Sequence, residues 1–289
     1  MSHFLRMSIV TPSFNQAQFL EATILSVRAQ DYVHIEHIVI DGGSTDGSVD
    51  IIRKYADRLA YWVSEPDRGQ TDAINKGFRR ATGEIVAWLN SDDVYFTRDA
   101  VRKMVETFAA HPKVDIIYGD AATIDEQGYV RRIRHLPDFD ADRLRRTSYL
   151  VQPAIFFRSK ILAQHQLDES LHLGMDYKLW LELTREFRFL HVPYVIAGDR
   201  NHLQRKTVFQ RGTAEKMEIT LQREWSSSSG FRRAAMRWCD RAIAILRRFH
   251  GIPDMLALYQ RSDLAFDARL KSRPAAIWDQ IFGKDYQKV

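Results

Sequence analysis

The sequence predicts an α/β domain, a mixed and mostly parallel sheet flanked by helices, followed by a helical C-terminal extension. Three observations predict it. Short apolar runs alternate with stretches of helical periodicity through residue 118, the pattern of consecutive βαβ units. Those runs end in polar, often glycine-containing loops, as strands do when their carboxyl ends face a ligand. The charge balance also changes along the chain. There are 17 Lys and Arg against 9 Asp and Glu from Arg205 onward, and 25 against 28 before it. The basic character therefore belongs to the last third, and we expect a domain over 1–204 and a basic helical extension over 205–289.

Residues 7–11 form a first apolar strand, ended by Pro12, and 16–30 carry Phe19, Leu20, Ile24, Leu25 and Val27 at helical spacing. A second strand, 35–40, runs into Asp41-Gly42-Gly43-Ser44-Thr45-Asp46-Gly47-Ser48, and 49–55 make the next helix. That loop has an acid at the strand end and glycines where backbone can approach a ligand closely. A third strand, 59–63, leads into Pro66-Asp67-Arg68-Gly69 and a helix over 70–81. Residues 85–89 are apolar on both strand faces, which suits the middle of a buried sheet, and they deliver Asn90-Ser91-Asp92-Asp93. Adjacent acids at a strand end attract a hard divalent cation such as Mg²⁺ or Mn²⁺, which in turn attracts phosphate oxygens. The same residues are also good caps for the helix expected at 98–110.

A fifth strand is expected at 114–118, and antiparallel strands over 120–136 around Gln127-Gly128. A strand at 151–157, a short helix at 159–164, an amphipathic helix at 176–187 and a last strand at 189–196 complete the domain, which closes on Asp199-Arg200-Asn201-His202. Trp62, Trp88 and Trp180 lie within apolar stripes and read as core.

Composition bounds the function. With 45% hydrophobic and 27% charged residues, the chain can build an ordinary globular core. One cysteine, Cys239, excludes an intramolecular disulfide and fits a reducing compartment. No apolar stretch approaches the ~20 residues needed to span a bilayer, and no secretory h-region follows the N-terminus. The expected location is cytoplasmic, or peripheral on the inner membrane face. Basic residues near the C-terminus flank an apolar stripe rather than interleaved aromatics, which argues against a nucleic-acid surface.

The order of Thr11-Pro12-Ser13-Phe14-Asn15, Asp41-Gly42-Gly43-Ser44-Thr45-Asp46, Gly69…Asn75-Lys76-Gly77, Gly83-Glu84 and Asn90-Ser91-Asp92-Asp93 resembles the family 2 glycosyltransferases, which have the GT-A fold, a Rossmann-like nucleotide-diphospho-sugar transferase architecture. The resemblance covers residues 7 to about 204. It implies inverting transfer of a sugar from a nucleoside diphosphate donor of UDP, GDP or dTDP type, with a divalent metal, to a glycan or lipid-linked acceptor hydroxyl in surface polysaccharide or glycolipid synthesis.

The resemblance also implies roles for individual residues. Thr11, Pro12, Asn15 and Asp41 would hold the nucleoside, with Asp67, Gly69, Asp72, Asp92 and Arg200 at the donor. Asp93 and His202 would hold the metal, and Asp176 would be the base. Gln152 and Pro153 would line the acceptor side. Met175 stands where relatives carry Glu, so the base rests on Asp176 alone. Ile74 stands where many carry Arg.

Two other readings share these features: a sugar-nucleotide-binding module without activity, and a nucleotidyltransferase. The first should lack Asp176, and the second should carry a basic Gly-rich first loop.

In the extension, Phe231, Ala235, Trp238, Ala242, Ile245 and Phe249 recur at helical spacing, with Arg233, Arg237, Arg241 and Arg248 on another face. A basic amphipathic helix over 231–249 can lie on an anionic membrane. It can equally dock on the catalytic domain or on a second subunit of a homo-oligomer.

Overall fold

The structure is a computed structural model and describes residues 4–225. The expected linker at 226–230 and the basic helix at 231–249 lie outside the described residues.

The first half is built as the sequence pattern requires. Strands β1 (Met7–Ser13), β2 (Ile35–Asp41), β3 (Tyr61–Ser64) and β4 (Ile85–Trp88) are joined through helices α1 (Ala17–Arg28), α2 (Ser48–Lys54) and α3 (Gln70–Arg80). They pair in parallel in the order β3-β2-β1-β4. The register sets Ser13 opposite Asp41, and Asp41 opposite Ser64. Three polar strand ends therefore meet at one edge of the sheet.

Strand β4 is buried on both faces, as its apolar run predicts. Val86 and Trp88 pack with Val10, Ile38, Ile40 and α3 on one side. Ile85, Ala87 and Leu89 pack with Ile9 and the helix α4 (Ala100–Ala110) on the other. Helix α3 lies unusually close to β1. A Cβ at Gly77 would stand 2.2 Å from Val10 Cγ1, so only glycine fits this crossing.

The second half departs from the expected elements. The strand expected at 114–118 and the first strand of the hairpin are one strand, β6 (Ile116–Ile124). It pairs antiparallel with β7 (Val130–Arg134) and with β8 (Ile155–Arg158), and parallel with β9 (Phe189–Arg200). The hairpin turn falls at Gly128, where φ is +88°, as Gln127-Gly128 predicts. Strand β9 does not stop at 196. It continues through Gly198-Asp199-Arg200 and also pairs antiparallel with a two-residue strand β5 (Val94–Tyr95), which no periodicity signals.

Helix α5 (Ala141–Arg146) was likewise not expected. The helix expected from 176 is α6 (Met175–Leu183), and its Trp180 stacks on Trp88 at 5.3 Å. After a short helix α7 (Lys206–Phe209), α8 (Arg211–Trp225) adds Leu221 to the core around α6, with Met217 and Trp225 packed beside it. Among the described residues, no helix is long and apolar enough to cross a membrane.

Candidate active site

A cleft of about 560 Å³ opens at the carboxyl ends of the parallel strands. Of the residues expected at a donor, metal or base, Pro12, Asp67, Gly69, Asp92, Asp93 and Asp176 line it. Thr11, Asp41, Asp72, Arg200 and His202 are buried outside that lining, Asn15 is exposed outside it, and each has a structural partner.

Asp41 is fully buried at the end of β2. Its carboxylate accepts hydrogen bonds from the N–H groups of Gly43 and Ser44 and from the hydroxyls of Ser44 and Ser64. It closes its own loop. Asn15 Oδ1 accepts from the Thr45 N–H, and the Asn15 N–H donates to Ser44 Oγ, so the first and second loops are tied together. Thr11 Oγ1 lies 3.0 Å from His37 Nε2 under the sheet edge. Burial drives the His37 pKa down to about 3, so this ring is neutral in ordinary solution. Asp72, in the first turn of α3, pairs with Arg68 through that residue's N–H and guanidinium.

The Asp92–Asp93 turn is held differently, by residues more than 100 positions away. The Arg200 N–H donates to Asp93 Oδ1, and the Arg200 guanidinium donates to the carbonyls of Asp92, Asp125 and Glu126. This arginine is 2% exposed and sits over the Phe19 ring. Through Nε and Nη1 it clamps two turns together, and it stands outside the cleft lining. His202 is buried against Phe19, and its Nε2 lies 2.9 Å from Asp92 Oδ2. It orients Asp92 from behind.

Asp93 accepts one further hydrogen bond, from Asn90 Nδ2. Burial first, and then the charges of Asp92 and Asp199, hold its carboxyl pKa well above the usual aspartate value. The site thus has an excess of negative charge that a cation would relieve. Among the described residues, no three His, Cys, Asp or Glu side chains converge enough to hold a metal ion alone. Mg²⁺ and Mn²⁺ sites that serve phosphates commonly take one or two carboxylates and draw the remaining ligands from the substrate and water. Asp92 and Asp93 fit that donor set.

Asp176 opens α6, behind Gly174 at φ +72°. It is half-buried and lines the cleft. Burial raises its pKa and Asp199 adds to this, against the N–H groups of the helix start and Arg205. A carboxylate raised toward neutrality and facing a cleft is poised for proton transfer.

Several cleft residues escaped the sequence reading. Arg134, Asp199, Arg205 and Lys206 all line it. Arg205 Nη2 lies 2.6 Å from Asp199 Oδ1 in an ion contact, and Nη1 donates to the Arg200 carbonyl. Burial works against its charge, but Asp199, Asp93 and Asp92 outweigh that and raise its pKa. Burial lowers the pKa values of Arg134 and Lys206. A chain of hydrogen bonds crosses the floor, from Lys206 Nζ to Gln70, from Gln70 to Asn90, and from Asn90 to both Asp93 and Gln152. Arg205 and Lys206 fell just beyond the boundary drawn at 204. The charge-dense run from Asp199 to Lys206 was the signal available for them.

Known proteins have the same fold and sequence pattern. The model of glycosyl transferase family 2 matches residues 8–165. An uncharacterised glycosyltransferase of Mycobacterium tuberculosis is 32% identical over 210 residues, covering 70% of this chain and 79% of the relative. A PGL/p-HBAD biosynthesis glycosyltransferase of Mycobacterium bovis is 31% identical over 154 residues, covering 52% of this chain and 58% of the relative.

Among solved structures, residues 1–349 of S. aureus TarS in complex with UDP superpose with a TM-score of 0.58 at 16% identity, covering 79% of this chain and 68% of that one. The match spans 41% of the longer TarS chain. The Pyrobaculum calidifontis mannosyltransferase PcManGT, in complex with GDP-Man and Mn²⁺, superposes with a TM-score of 0.54 at 17% identity, covering 89% and 85%. The fold is that of the GT-A glycosyltransferases. The chain belongs to glycosyl transferase family 2, and it is a glycosyltransferase.

Proposed function

We propose that this glycosyltransferase is a metal-dependent, inverting enzyme that moves a sugar from a nucleoside diphosphate sugar to an acceptor hydroxyl, in the synthesis of a surface polysaccharide or glycolipid. The observation that carries the reading is the convergence of the Asp92-Asp93 pair and Asp176 on one cleft from separate elements. Relatives support the donor class, since the TarS and PcManGT complexes hold UDP and GDP-Man. The M. bovis relative supports glycolipid synthesis by its name.

In this reading Pro12, Asp67 and Gly69 flank the donor, and Arg134, Arg205 and Lys206 supply positive charge to its diphosphate. Asp41, Thr11, Asp72 and Arg200 shape those walls from behind, and Asn15 ties the first loop to the second. Asp93, with Asp92 oriented by His202, would hold Mg²⁺ or Mn²⁺, which when bound neutralises charge on the departing diphosphate. Asp176 takes the proton from the acceptor hydroxyl, because an alcohol is a poor nucleophile at neutral pH. The acceptor oxygen then forms its bond to the anomeric carbon as the bond to the diphosphate oxygen breaks. Attack on the face opposite the leaving group inverts the configuration.

A module without activity would have no use for a raised-pKa carboxylate at the cleft, and the nucleotidyltransferase reading falls with the family assignment. The basic helix expected at 231–249 would give weak, salt-sensitive membrane contact, since such attraction is screened within about 10 Å at 0.1 M salt.

The test is a melting-temperature panel of UDP, GDP and dTDP with and without Mn²⁺, because a selective ligand stabilises by mass action. One nucleotide should shift the melting point more with Mn²⁺ than without. A panel in which no nucleotide shifts it, with or without metal, defeats the reading.

A further inference from the structure

We infer that Gln70 is a positioning residue: it holds the Lys206 ammonium at the cleft as an uncancelled positive charge, presented to the donor's diphosphate. The inference rests on the proposed reading that Lys206 serves that diphosphate. It concerns what keeps the lysine in place and charged.

Three cations line the cleft, and they are held differently. Arg205 and Arg134 both face the Asp199 carboxylate, at 2.6 and 3.6 Å. Lys206 forms no ion pair among the described residues. Its one hydrogen-bond acceptor there is the neutral amide oxygen of Gln70, at 3.1 Å. Asp67 and Asp92 favour its charge without lying within ion-pair distance. An ammonium has three N–H donors and no acceptor. With one neutral partner, and with burial working against its charge, Lys206 has an unmet demand for an anion. The lysines of the neighbouring helices differ, since Lys76 pairs with Glu65 and Lys178 with Asp168.

The orientation of Gln70 is dictated from both ends of the chain of hydrogen bonds it belongs to. An ammonium can only donate, so Gln70 turns Oε1 to Lys206 and Nε2 to Asn90 Oδ1, 2.9 Å away. At the far end the Trp88 carbonyl can only accept, so Gln152 gives it Nε2 and turns Oε1 to Asn90 Nδ2. The same Asn90 nitrogen donates to Asp93 Oδ2. The two constraints agree at Asn90, and no amide in the chain can flip without setting like groups against each other. Gln70 is the first residue of α3, behind Gly69 at φ +113°. A glutamate there would hold the ammonium but cancel its charge, and could not donate to Asn90. An apolar residue would offer no acceptor. The amide does both tasks and leaves the charge in place.

The experiment is a double-mutant cycle on the full chain, read by calorimetry in Mn²⁺. The probes are whichever of UDP, GDP or dTDP binds, and the matching monophosphate. Lys206→Met should weaken diphosphate binding by ~10-fold, the scale of one charge-assisted hydrogen bond, and monophosphate binding less. Gln70→Leu should weaken the diphosphate by ~5-fold with the same preference, since the lysine remains but is no longer held. Because Gln70 acts through Lys206, adding Gln70→Leu to Lys206→Met should cost less than ~2-fold more. Gln70→Glu should bind the diphosphate more weakly than Gln70→Leu, although its free form should melt no lower.

Additive losses, wild-type affinity in Gln70→Leu or Gln70→Glu, or equal losses for the monophosphate and diphosphate overturn the inference and leave the donor reading standing. Lys206→Met that binds the diphosphate like wild type overturns it as well, by removing the lysine from the donor site. Failure of the donor reading shows earlier, in a wild-type protein that binds no nucleotide, and the inference falls with it.

Discussion

Asp41 and Asp93 occupy comparable places, each buried where a parallel strand meets the cleft edge, and they could hardly be treated more differently. Asp41 is 0% exposed and accepts four hydrogen bonds, three from its own loop and one from Ser64 at the neighbouring strand end. Asp93 is 2% exposed and accepts two, and burial first, then the like charges of Asp92 and Asp199, keep its pKa high. The first carboxylate has its hydrogen bonds met within the fold. The second is in electrostatic debt, and such sites are where ligands are bound. Burial alone does not distinguish a structural acid from a functional one. What distinguishes them is whether neighbours have already met its demand.

The largest test extends the comparison to Asp176. Asp176→Asn keeps the shape but removes the proposed base, so transfer should fall by roughly 10²-fold or more while nucleotide binding persists. Steady-state rates and calorimetry on the same samples check it. In the wild type, the raised pKa means the base is lost to protonation at a higher pH than an ordinary aspartate would be. The acid limb of the rate profile should therefore lie above the usual aspartate range.

Next in size is Arg200→Met, which removes the donor to three carbonyls at once. It should cost about 3 kcal/mol by urea denaturation, since buried acceptors left unpaired cost about 1–3 kcal/mol each before relaxation.

The paired substitutions Asp41→Asn and Asp93→Asn give the sharpest contrast. The first should destabilise by about 1–3 kcal/mol, because an amide nitrogen cannot accept from the loop N–H groups. The second should raise the metal-free melting temperature at neutral pH, and abolish any Mn²⁺ dependence of nucleotide binding. The pH dependence has a definite sign. Folded Asp93 holds its proton to higher pH than the unfolded chain does, so stability falls as pH rises from the ordinary aspartate value toward the raised one. Asp93→Asn should flatten that fall. Matching melting curves for the two variants would erase the distinction drawn between the two strand ends.

A separate test, in the pH dependence alone, belongs to His37. Its folded pKa of about 3 lies below the unfolded value, so stability is present above ~6.5 and is lost as pH falls from there toward 3. His37→Gln should soften this acid limb, measured as melting temperature between pH 4 and 7.

The sequence made the parallel half legible because each βαβ unit is local: strand, loop and helix follow one another, and Asp41 or Asp92 falls at a strand end by position alone. The other half is closed by pairings across long separations. Strand β5 is two residues long and exists because β9 lies beside it. Strand β9 carries Asp199 and Arg200 into a sheet, and buried charge of that kind reads as loop until its partners are known. Arg200 was expected at the donor, yet the carbonyls it serves, at 92, 125 and 126, are adjacent only in three dimensions. The pattern of types gave Asp93 and Asp176 their place at the cleft. It could not tell how differently Asp41 and Asp93 are held, because the difference lies in hydrogen bonds already made.

The missing side chain at Gly77 acts as a ruler for the cleft. Helix α3 can rest on β1 only because nothing projects there toward Val10. Pro12 at the end of β1 and Gly69-Gln70 at the start of α3 form two of the cleft's borders. The distance between those borders is therefore set two helical turns away, by how closely a helix can lie on a strand. A single methyl at position 77 would force Val10 or α3 to shift, and with α3 the cleft-lining Gln70 and Ala73. Ligand width in this fold is thus a property of helix seating, open to change by mutation far from the chemistry.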